Sequence, residues 1–114
     1  NKYLMAQKTL DSLIIEYKEH PILDELLWLK AIRSKETGEY ETAINQLHRI
    51  VFDMPYDILT DDALFEMAKI YEEQLNDFTK AQEYYQQLLT EYPGSLYVAE
   101  SRKRFRKLRG DFVN

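Results

Sequence analysis

The chain repeats itself, and that repeat limits its fold more than any other feature. Shifted by 38 residues, Gly38 falls on Asn76, Tyr40 on Phe78, Ala43 on Ala81, Leu47 on Tyr85, Ile50 on Leu88 and Pro55 on Pro93. Shifted by 37, DELLWLKA (24–31) lies over DDALFEMA (61–68). Self-similarity at a few tens of residues marks a solenoid, because one such unit cannot bury its apolar face without neighbours. Inside each unit apolar residues recur three and four positions apart, the helical period, and Gly38 or Asn76-Asp77 divides the pattern in two. The predicted fold is all-α, with about six antiparallel helices in about three pairs, forming a single domain over 1–114.

The first helical pattern covers residues 3–17, through Leu4, Met5, Leu10, Leu13, Ile14 and Tyr17. It stops at His20-Pro21, since the residue before a proline is pushed out of the helical region. Its Leu13-Ile14 pair stands where Leu88-Leu89 stands later, so 1–20 reads as the second helix of a truncated unit. The chain opens Asn1-Lys2-Tyr3 inside this pattern and without Met, as expected for a piece of a longer protein. Units at 24–55 and 61–93 follow, with helices expected at 24–36 and 40–54, a fourth capped by Thr60 or Asp61 and running to about 74, and a fifth at 78–92. Ser95 is expected to cap a last helix to about residue 109. Ala31 with Ala43, and Ala68 with Ala81, would let paired helix axes approach closely. Recurrence at matched positions favours that packing role over mere helix propensity.

These residues resemble the tetratricopeptide (TPR) repeat family. The second unit carries the pattern at Leu64, Met67, Ala68, Tyr71, Ala81, Tyr85 and Pro93. The first carries it at Leu27, Ala31, Ala43, Leu47 and Pro55, with Lys30 and Ser34 where Leu and Tyr are usual. The resemblance implies a right-handed superhelix whose first helices line a concave groove for extended or helical peptide segments. The groove side would carry Glu25, Trp28 and Ile32, then Asp62, Phe65 and Lys69, then Glu100, Lys103 and Lys107. Trp28 and Phe65 in register, rimmed by charge, suit protein recognition. Trp28 could equally be covered by the truncated first unit. The family's peptide-carboxylate clamps use Lys, Asn and Arg at sites where Glu25 and Asp62 stand, so recognition of acidic tails is not supported. Units of 37–38 residues, against the usual ~34, and the Tyr-Pro-Gly-Ser turn are similar to TPR proteins of bacterial cell envelopes. Those include outer-membrane assembly lipoproteins and Tol-Pal-associated periplasmic proteins, which implies the periplasm or the outer-membrane periphery.

Little in the sequence speaks for chemistry. The chain has no cysteine, and three scattered glycines cannot cradle a phosphate. His20 adjoins a proline, and His48 takes the place of Gln86 in the next unit, on a face expected to meet solvent. Asp61-Asp62 and Glu72-Glu73 have no base, nucleophile or metal ligand beside them. The expectation is a non-catalytic scaffold without cofactor or metal, whose partner is another protein or a peptide segment. No apolar run approaches the ~18 residues of a membrane span.

The last helix decides where the array stops. RKRFRKLR (102–109) holds six positive charges, whereas residues 1–101 hold nineteen Asp or Glu against nine Lys or Arg. The stretch could suggest nucleic acid or an anionic membrane, but so acidic a body would repel a phosphate backbone. Positive charge in the last turns also meets the helix dipole, so a solvated cap is favoured first, a protein docking patch second and nucleic acid last. The two apolar stripes of the fourth helix, Ala63-Met67-Ile70 and Leu64-Ala68-Tyr71, become Ser101-Phe105-Leu108 and Arg102-Arg106-Arg109. Loss of one stripe alone is what a capping helix should show, with Gly110 and DFVN expected as the end of the fold. Nucleic-acid binding through this helix is one rival and a purely structural spacer the other. A scaffold should leave Trp28 and Phe65 reachable, whereas a spacer should expose no apolar patch of roughly a few hundred Å2.

Overall fold

Helices make up all regular structure in the residues described by this computed structural model, namely 6–12, 23–54 and 58–110. They are α1 (6–12), α2 (Leu23–Glu36), α3 (Tyr40–Asp53), α4 (Thr60–Glu73), α5 (Phe78–Glu91) and α6 (Val98–Arg109). The expectations for Leu13-Ile14, His20-Pro21, Pro55 and DFVN lie outside the described residues. The chain divides into two compact units, Asn1–Thr60 and Asp61–Asn114.

The 38-residue echo reappears in the backbone. The residues that open α3 and α5, Glu39 and Asp77, have φ,ψ of −86°,68° and −95°,82°. The residues that close them, Met54 and Tyr92, have −135°,57° and −130°,59°, and each donates its N–H four residues back, to Ile50 and Leu88. Two turns of different sequence thus reach one geometry. Gly38 achieves it with φ +81°, where Gly38 N–H bonds Lys35 O and Glu39 N–H bonds Ser34 O, the glycine-terminated helix end. Asn76 adopts φ +53° instead, a region in which Asn is the usual non-glycine visitor. Asp77 then accepts from Lys80 N–H at 3.1 Å and caps α5.

In the first unit α2 packs on α3 around Leu27, Leu47 and Ile50, all buried. α1 runs antiparallel to α2. Gln7 donates to Ser34 at 2.8 Å, and Asp11, one turn on, pairs with Lys30, one turn back. Lys30 and Ser34, the two departures from the repeat pattern, are therefore the residues that hold α1. In the second unit α4, α5 and α6 pack together around Leu64, Ala68, Tyr85 and Leu88. Ala31, Ala43, Ala68 and Ala81 are all buried, as a close crossing of helix axes requires.

Two helix starts are capped otherwise than expected. Thr60 opens α4 but turns its hydroxyl back to donate to Met54 O at 2.7 Å. Asp61 accepts from the Asp62 N–H. Ser95 does not cap α6 directly. It accepts from Tyr97 N–H at 3.1 Å and forms a turn, and the helix begins at Val98. The turn lets Tyr97 lie back on α4 (below), and that packing sets the start of α6.

Candidate functional site

In the first unit the candidate residues lie along α2 at helical spacing. Glu25 is exposed, and Trp28 and Ile32 are half-buried. Leu29, next to Trp28, is half exposed and with Ala6, Thr9, Leu10 and Arg33 lines a cavity of about 280 Å3. Sequence reasoning missed this opening, because the α1 residues that complete it are brought to α2 by tertiary contacts such as those of Gln7 with Ser34 and Asp11 with Lys30.

In the second unit Asp62, Phe65 and Lys69 come together around Tyr97. Phe65, expected as an open anchor, is only 9% exposed. The Tyr97 ring stacks on it, with centroids 4.6 Å apart and planes 14° apart, and Tyr85 lies tilted behind at 6.1 Å. Lys69 sets its Nζ 4.9 Å from the Phe65 ring centre and 3.5 Å from Glu66. The Tyr97 hydroxyl donates to Asp62 Oδ1 at 2.5 Å. This hydrogen bond, together with burial, favours the neutral phenol and pushes the Tyr97 pKa up to about 12. Tyr97, half-buried, thus takes over the outward aromatic surface at this place.

Lys103 and Lys107 are exposed on α6 and line a polar cleft of about 280 Å3 with Glu72, Glu73, Glu100 and Arg104. Arg104 organises it. Its Nη1 lies 3.1 Å from Glu72 and 2.9 Å from Glu73, and its Nε lies 2.8 Å from Glu100. Glu72 also accepts from the buried Tyr85 hydroxyl at 2.7 Å. Burial first, and the Glu72 carboxylate second, hold the Tyr85 pKa far above the ordinary phenol value. The hydrogen bond from Arg104 holds Glu100 below the usual carboxylate range. Burial alone would lower the Arg104 pKa, but its hydrogen bonds to Glu73 and Glu100 raise it. The Glu100-to-Arg104 spacing and the Glu72-Glu73 pair were visible in the sequence, but nothing there joined them.

This arrangement binds charge by charge and ring by ring. Every carboxylate in the cleft network shares one guanidinium, which fixes helices rather than activating a nucleophile. His48, exposed as expected, stacks on Phe52 at 4.0 Å. Among the described residues no group of His, Cys, Asp and Glu is arranged to hold a metal ion, and no helix is long and apolar enough to cross a membrane.

Residues 62–95 match the family model described as Tetratricopeptide repeat. The matched segment contains α4 from its third residue, the turn, α5 and the Tyr-Pro-Gly-Ser bend. No curated protein matches the chain.

Proposed function

We propose that the protein is a non-catalytic scaffold that holds a segment of another protein against the first helices of its repeats. A TPR repeat at 62–95 implies protein partners, and the equal lengths and similar terminal backbone angles of α3 and α5 support a further repeat upstream. The single array over 1–114 is part of the same proposal. Taken each by itself, the first unit offers Glu25, Trp28 and Ile32, and the second offers Asp62, Phe65, Lys69, Lys103 and Lys107. The observation that carries the reading is Trp28, a large aromatic left half-open beside the exposed Leu29. Partly exposed tryptophan beside apolar surface is a favoured anchor for a partner. Phe65 acts at second hand, by seating Tyr97. The unit length and the Tyr-Pro-Gly-Ser bend support service in bacterial cell-envelope assembly.

Photo-crosslinking from a probe at position 28 of the full protein in its own cells tests this, with a probe at the exposed Phe52 as control. A discrete adduct from position 28, absent from position 52 and competed by excess wild type but not by Trp28→Ala, is the expected result. Identical adduct patterns from both positions would dismiss the scaffold reading.

A further inference from the structure

α6 carries, on one side, the stripe against which a second helix rests in the hairpin before it. On α4 that stripe is Leu64, Ala68 and Tyr71. The first two are fully buried, and Tyr71 stacks on Tyr84 of α5 with centroids 5.7 Å apart. At the matching places of α6 stand Arg102, Arg106 and Arg109, all exposed. Arg109 lies over the Phe105 ring at 5.1 Å, and Arg102 and Arg106 form no ion pair among the described residues. The other stripe of α6 is turned inward, with Ser101 buried and Phe105 and Leu108 half-buried. A helix-sized seat that is apolar on α4 is therefore lined with guanidinium groups on α6.

We propose that this seat docks an acidic helix of a partner protein, which lies on α6 as a second helix lies on α4. Arg102 and Arg106 are one turn apart, a rise of about 6 Å, and carboxylates four residues apart on a facing helix repeat that spacing. Guanidinium groups receive carboxylates as flat forks, and α6 already shows this chemistry on its other side. There Arg104 takes Glu72, Glu73 and Glu100 within 3.1 Å. The same unit disfavours other anionic partners. Residues 61–101 hold nine Asp or Glu and two Lys, which would repel the phosphates of a duplex wide enough to reach past α6, whereas a single helix seated on the arginines meets α6 alone. A membrane surface needs an apolar face to insert, and the apolar face of α6 is turned inward. The seat is separate from the proposed groove, since Lys103 and Lys107 lie toward the cleft.

The test uses the full chain and a labelled helical peptide with glutamates at i, i+4 and i+7, read by fluorescence anisotropy at low salt. Its partner probes are the same peptide with glutamine and a DNA duplex of equal charge. The glutamate peptide should bind, and glutamine should weaken it at least about tenfold, the usual loss for charge-assisted contacts. Arg102→Gln with Arg106→Gln should cost a similar factor without changing the helical circular dichroism. Lys103→Gln with Lys107→Gln should cost only about twofold, as a rim charge does. Equal losses from the two pairs would reduce the effect to bulk charge and overturn the seat. So would tighter binding of the duplex than of the glutamate peptide, absence of peptide binding, or sedimentation showing that a second copy occupies the arginine face.

Discussion

Replacing Tyr85 by Phe isolates the hydroxyl that ties α5 to the ion network. The ring is fully buried, so the substitution leaves apolar burial almost unchanged and removes one short hydrogen bond of 2.7 Å to the Glu72 carboxylate. Hydrogen bonds to charged groups contribute about 1.5–3 kcal/mol. Glu72 keeps Arg104 at 3.1 Å, so its charge is not left alone and the lower end applies. The expected loss is about 1.5 kcal/mol, with a fall in Tm of roughly 6–10 °C for a chain of this size. Urea unfolding followed by far-ultraviolet circular dichroism measures it, and the slope should not change because the exposed area is the same. In a Glu72→Gln background Tyr85→Phe should cost clearly less, since the bond is then between neutral groups. A loss equal in both backgrounds, or no loss at all, would show that the hydroxyl does not act through Glu72.

Three other perturbations follow from the packing. Ala81→Leu should destabilise by about 1–3 kcal/mol in the same urea assay, because a fully buried alanine has no room for three more carbons. Ser101→Ala should stabilise by about 1 kcal/mol, because the serine is fully buried with its hydroxyl unpartnered among the described residues and alanine forms helix better. In a spectrophotometric tyrosine titration, Tyr97→Phe should delete a transition near pH 12. The folded pKa lies above the ordinary value of about 10, so this stabilisation is complete below pH 10 and lost as the pH rises through about 12.

Much of the helical pattern was legible because period and punctuation are local. The repeat placed α2 to α5 within about a residue of where they lie, and it chose Ala43, Ala81, Leu47 and Tyr85 as core. The candidate site was less legible, since a side chain's exposure depends on what another helix lays over it. Phe65 sits one position from the buried Leu64, on a face open by helical geometry alone. Only the turn at Ser95 brings the Tyr97 ring down on it. Lys30 and Ser34 read as irregularities until Asp11 and Gln7 supplied their partners, residues that no 37- or 38-residue shift connects to them.

The sequence by itself determined the unit: its two helices, its turn, its small residues at the crossing, and the substitution of arginine for an apolar stripe in α6. Periodicity fixes these, because each depends on residues within one or two turns of each other. Tertiary structure alone decided which charges are spent and which remain available. Arg104 and Arg106 are two positions apart and chemically alike. One is held by carboxylates from α4 and its own helix, and the other faces outward with none among the described residues. That difference arises because ion pairing is set by distances of a few ångströms between distant segments, which only folding establishes.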